Sequence, residues 1–169
     1  MNPDLYSLSV PTFRRYLNTL SQLVQAAEQH ALQVPQADLL DARLAPDMLP
    51  FGTQVEIACN FVARTCLPLA GHPLPPYPVM APGYEGLQLR VAAAQALLDT
   101  LTPAEFDAQR VICDQAGTAQ VQLPAAAFLQ EYALPNFMFH LVTAYLILRS
   151  RGVPLGKSQF DGFHAYPGA

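Results

Sequence analysis

The segment PNFMFHLVTAYLILRSRG, residues 135–152, decides how the chain folds. Proline is favoured in a first helical turn, where the N–H it lacks would have no partner, and Gly152 is a natural stop. Between them Phe137, Met138, Leu141, Val142, Tyr145, Leu146 and Leu148 place apolar side chains on several sides of one helix. Such a helix is buried on more than one face. Arg149 and Arg151 close it, where positive charge suits the carbonyl end of the helix dipole. The apolar run Phe137 to Leu148 is shorter than the roughly 18 residues of a membrane span, and His140, Thr143 and Tyr145 interrupt it. The segment therefore reads as the central helix of a bundle, with no membrane partner.

A helix of this kind needs neighbours. Apolar residues at Phe13, Tyr16, Leu17, Leu20, Leu23, Val24 and Ala27 recur every three or four positions and draw one helical stripe. Ser9-Val10-Pro11 predicts its start and Pro35 its end. Residues 38–49 are punctuated, with room for one helical turn capped by Asp38 or Asp41 before Pro46 interrupts it. A second helix starts near Asp47 to Pro50, carries Phe51, Val55, Ala58, Cys59, Val62, Cys66 and Leu69, and stops at Gly71. Five prolines between His72 and Gly83 force an extended crossover. A third helix runs from Tyr84 to Thr100, with Leu87, Val91, Ala94, Leu97, Leu98 and Leu101 inward. Thr102-Pro103-Ala104-Glu105 combines a capping box with an early proline, so a short helix follows. Gly117, between Val111-Ile112 and Val121, predicts a small hairpin or an irregular excursion, and Pro124 opens a short helix through about Tyr132. The fold class is all-α, in one domain over residues 1–169 with no internal repeat.

Composition agrees. Of 169 residues, 51% are apolar and 13% charged, about half the charge usual in a globular domain. Burial, including a subunit interface, absorbs that excess, so a homodimer is expected. Net charge is −4, with nine Lys and Arg spread along the chain. No basic face exists to displace counterions, which excludes nucleic acid as a partner. Met1-Asn2-Pro3-Asp4 carries no basic n-region and no long apolar h-region, so export is not expected. Three cysteines without a C-x-x-C pair suit a reducing, cytoplasmic compartment, and Cys59 and Cys66 read as buried small hydrophobes.

Chemistry could sit on the central helix. Asn136 and His140 are four apart and share a face. This is the spacing at which one helix offers two metal ligands, but an amide is a poor ligand for zinc or nickel. His30, His72 and His164 complete no set. The readings are a core histidine bonded to Asn136, Gln54 or a tyrosine, a polar pocket for a small molecule, or a metal site. Asp47 reads first as a helix cap. Facing His140 together with Gln54, it would instead orient the imidazole as a base. Candidate ligand-binding residues are thus Asp47, Gln54, Asn136, His140 and Tyr145. No cofactor is expected; a divalent metal, if held, would use His140 with Asn136 and Gln54. Gly152-Val153-Pro154-Leu155-Gly156-Lys157 lacks the spacing and preceding strand of a phosphate loop. It reads as a turn that folds the tail back on Phe160, Phe163 and Tyr166.

LAPDMLP (44–50) with Gln54, ALPNFMFH (133–140) and the run from Ala144-Tyr145 through Arg149 to GVPLGK (152–157) together resemble a bacterial domain-of-unknown-function family related to the DinB/YfiT-like metalloenzymes. The resemblance extends from Ser9 to about Phe160. It implies a four-helix bundle in up-down-down-up order, often dimeric, whose relatives include thiol-dependent transferases and isomerases. It also implies a three-histidine metal site, one on the second helix and an H-x-x-x-H pair on the fourth. His140 matches the last histidine and Asn136 stands in place of the one before. No histidine lies near Gln54, so the implied site is incomplete. Three functions stay open: a small-ligand binder, a metal-dependent thiol transferase or hydrolase with unusual ligands, and a non-catalytic dimeric stress or partner protein.

Overall fold

The computed structural model describes residues 4–34 and 38–165. Pro35, Tyr166 and the opening Met1-Asn2-Pro3 lie outside these residues. Three long helices come first: α1 (Leu5–Gln33), α2 (Phe51–Ala70) and α3 (Gly83–Asp99). A 3-10 turn at Pro103–Glu105 leads to an antiparallel hairpin, β1 (Val111–Ala116) and β2 (Ala119–Pro124). Then come α4 (Ala125–Ala127), a π-helical turn (Phe128–Ala133), α5 (Leu134–Ser150) and the short α6 (Lys157–Asp161). The protein is thus mainly helical with one small sheet.

The α1 helix starts a turn earlier than Ser9-Val10-Pro11 suggested. Asp4 caps it, accepting from the Ser7 amide at 2.7 Å. Ser9 is buried and bonds the Leu5 carbonyl at 2.6 Å instead of capping. Pro11 is tolerated inside the helix because it lies on the exposed face, where the Ser7 carbonyl it leaves unpaired faces water.

Residues 38–49 form turns and bends, with no helical turn. Asp41 N–H donates to the Asp38 carboxylate at 3.3 Å. Asp47 does not cap α2; it is exposed in a turn, and Pro50 holds the cap position. The physical reason is that loop carbonyls already serve the helix start: Phe51 N–H donates to Ala42 O at 2.9 Å and Gly52 N–H to Leu40 O at 3.0 Å. At the far end Gly71 has φ +83° and its Cβ position is filled by the Arg110 guanidinium, which donates to Leu69 O and Glu105 O. The proline-rich crossover is extended as expected. It ends over α3, where the Ala81 carbonyl would lie 1.6 Å from a Cβ at Gly86, so only glycine fits.

The largest departure concerns the central helix. Pro135 does not start it; helix is continuous from Ala125 to Ser150. Pro135 has no amide for the Glu131 carbonyl and would clash with it in a regular α-helix. The π-helical turn just before it widens the spiral and removes both conflicts.

The core gathers one stripe from each long helix. Phe13, Leu17, Leu20, Leu23 and Val24 of α1 meet Phe51, Val55 and Val62 of α2 and Phe137, Leu141, Ala144 and Leu148 of α5, all fully buried. Phe13 and Phe137 pack edge to face at 5.0 Å. The α1 and α3 helices run antiparallel, joined by Ser21–Gln88, Asn18–Gln95 and Arg14–Asp99. So do α2 and the continuous helix that ends in α5, joined by Gln54 to His140 in α5 and by Arg64 to Tyr132 in the π turn. No helix among the described residues is long and apolar enough to cross a membrane.

Candidate functional site

Gln54 and His140 meet at the α2–α5 seam. Gln54 is 2% exposed, and its Nε2 donates to the Leu49 carbonyl at 3.1 Å. A carbonyl can only accept, so the Gln54 Oε1 must face His140, whose Nδ1 lies 2.7 Å away. That fixes the tautomer: Nδ1 carries the proton and Nε2 keeps its lone pair. No described residue hydrogen-bonds Nε2. The ring is half-buried, stacked on Phe61 at 5.8 Å and 26° and edge to face with Phe139. Burial, reinforced by the Arg64 charge, pulls its pKa down from 6.5 to about 4. At neutral pH it is an uncharged acceptor.

Arg64, ten residues after Gln54, reaches the same seam three helical turns on. Its Nε and Nη2 hold both oxygens of Asp114 on β1, at 3.2 and 2.7 Å, and Nη2 also reaches Gln115 O and the Tyr132 hydroxyl. The guanidinium stands over the Phe61 ring at 4.5 Å. Both partners are largely buried, at 18% and 13% side-chain exposure. Burial opposes the Arg64 charge, but the Asp114 bonds outweigh it and raise the pKa overall. Burial and the same carboxylate raise the Tyr132 phenol.

Asn136 serves the helix rather than the pocket: its Nδ2 donates to the Tyr132 carbonyl at 2.7 Å, inside the π turn. Tyr145 lies away from His140, edge to face with Phe160 at 5.4 Å. Asp47 makes no contact with His140, so the Asp–His pair considered from the sequence is not formed. The structure therefore joins Gln54 to His140, sets Asn136 one turn away, and leaves Asp47 and Tyr145 elsewhere. Sequence reading missed Phe61, Arg64, Asp114 and Tyr132. For Phe61, Arg64 and Tyr132 the signals were present: Tyr132, Asn136 and His140 are spaced by four, and Gln54, Phe61 and Arg64 by seven and three, each set on one face.

Two further features bear on the chemistry. Among the described residues no three of His, Cys, Asp or Glu gather as metal ligands. A groove of about 570 Å³ between α1 and α6 holds Arg14 and Arg15, but Arg14 is paired with Asp99 and Arg15 lies over Phe163 and bonds Asp161 O. Size alone does not make it the site; the buried polar groups do.

A crystal structure described as a DinB family member protein from Shewanella denitrificans is similar over 98% of this chain and 96% of that one, with a TM-score of 0.82 and 30% identity. No curated protein matches. The family model described as domain of unknown function DUF1993 matches residues 5–161, and the chain belongs to that family.

Proposed function

We propose that this protein is a metal-free relative of the DinB-like bundles that holds a small polar molecule at the α2–α5 seam. The observation that carries the reading is the Leu49–Gln54–His140 chain, which offers one neutral imidazole nitrogen beside the Arg64 guanidinium. A ligand with a hydroxyl or N–H for His140 and an electron-rich group near Arg64 suits it. The donors present do not suit a transition metal. The Gln54 oxygen is already accepting, only one imidazole is at hand, and a fixed cation stands close by, which opposes a second. Metal content of protein purified without added metal tests the reading. Substoichiometric Zn, Ni and Fe, with no thermal stabilisation on adding them, is expected; one metal per chain would replace it with the metal-dependent transferase reading.

The same reading makes the chain a single bundle in up-down-down-up order, supported by the antiparallel α1–α3 and α2–α5 pairings. It also makes it a homodimer in the cytoplasm. Large apolar side chains left exposed on α5, Phe139, Val142 and Leu146, favour the homodimer.

A further inference from the structure

The outer face of α5 carries a line of side chains left open to solvent over much of their surface. Phe139, Val142 and Leu146 are 56%, 37% and 44% exposed, and Pro135 is exposed as well. Spacings of four, three and four place them in a row along the solvent side. The row continues to Glu131, in the π turn, and to Arg149 at the other end, both exposed. Glu131 pairs with no described residue. Arg149 makes one long contact, 3.5 Å to the Val153 carbonyl. The row is acidic at one end, apolar in the middle and basic at the other.

It is also a palindrome. About the point midway between His140 and Leu141, Phe139 mirrors Val142, Pro135 mirrors Leu146, and Glu131 mirrors Arg149 to within one residue. A twofold axis through that point lays α5 antiparallel on α5 of a second copy, which is the self-complementary contact of an isologous dimer. Each acidic end then meets a basic end. Next to Val142 and Leu146 lies a cup of about 190 Å³, completed by Tyr145, Lys157 and Phe160. Cavities of roughly 150 Å³ accommodate a benzene ring, so the cup has room for a phenyl group.

We propose that this face binds a second copy of the chain through an antiparallel α5–α5 contact, with Phe139 of each copy seated in the cup of the other. The inference rests on the homodimer reading above and specifies its surface. The charge order selects a second copy over an unrelated partner, because the row complements itself only when reversed.

Light scattering coupled to size-exclusion chromatography at micromolar concentration tests it, with circular dichroism to check folding. Wild type runs as a dimer, and Val142→Glu runs as a folded monomer. Glu131→Arg and Arg149→Glu each weaken the dimer by about tenfold, since the twofold repeats every charge reversal, and the doubly reversed chain recovers it. A dimer that survives Val142→Glu and both single reversals overturns this surface while sparing the homodimer reading. A monomeric wild type overturns both.

Discussion

Lowering the pH isolates the strain placed on His140. The ring titrates at about 4 in the folded protein against 6.5 as a free side chain. The unfolded chain therefore binds the proton first, and folding must hold the ring neutral. Stability from this residue is complete above 6.5 and is lost as pH falls from 6.5 toward 4. The full gap amounts to ~3.4 kcal/mol at ~1.36 kcal/mol per pKa unit. His140 is only half-buried, and solvent screening reduces the expected loss to about 1.5 kcal/mol. Urea unfolding of wild type and His140→Gln, followed by circular dichroism at intervals from pH 7 to 4.5, reads this loss directly. Glu105 and Asp161 titrate in both proteins, so the difference between the two curves reports His140. The wild type should lose about 1.5 kcal/mol more than the variant across that range. Parallel curves, or a His140 ring resonance that titrates near 6.5, would refute the tautomer-locked acceptor.

Three other perturbations have defined outcomes. Asp114→Asn removes the counter-charge of the largely buried Arg64 and leaves it neutral acceptors alone, the new amide oxygen, Gln115 O and the Tyr132 hydroxyl, and should cost about 2 kcal/mol in urea unfolding; Arg64→Met combined with it should recover part of that loss. Gln54→Leu orphans both the Leu49 carbonyl and the His140 Nδ1–H, so a cost of about 1–3 kcal/mol and a shift in the His140 ring nitrogen signals are expected. A thiol reagent should label native protein at Cys113 alone, because Cys113 is exposed whereas burial pushes the Cys59 thiol up to about 12 and raises Cys66 as well; fast labelling of either buried thiol would contradict the packing of α2.

Features written in local chemistry were legible in the sequence. The span of α2, the extended prolines, the Glu105–Thr102 cap and the hairpin turn at Gly117 each depend on residues within a few positions of one another. The two helix starts were not, since both depend on what surrounds a proline. Pro11 is accepted because its face meets water, and Pro135 because the chain before it widens. Within the site, the Asn136–His140 spacing pointed to the correct helix face but to the wrong duty for Asn136. Asp114 was invisible for another reason: β1 reaches Arg64 from fifty residues away, and no periodicity connects a hairpin to a helix. Asp47 misled because its capping role was taken by carbonyls of Leu40 and Ala42, which carry no side-chain signature.

The wide turn at Phe128–Ala133 has a consequence for how this chain tolerates length changes. One residue of helix is worth ~100° of rotation, so this bulge acts as an indexing step between the hairpin and the residues beyond Pro135. Deleting a single residue there would let the spiral close to ordinary pitch. The residue lost and the turn closed offset one another, so everything upstream keeps its facing relative to His140, and the cost falls instead on Pro135, whose ring meets the carbonyl four residues before it.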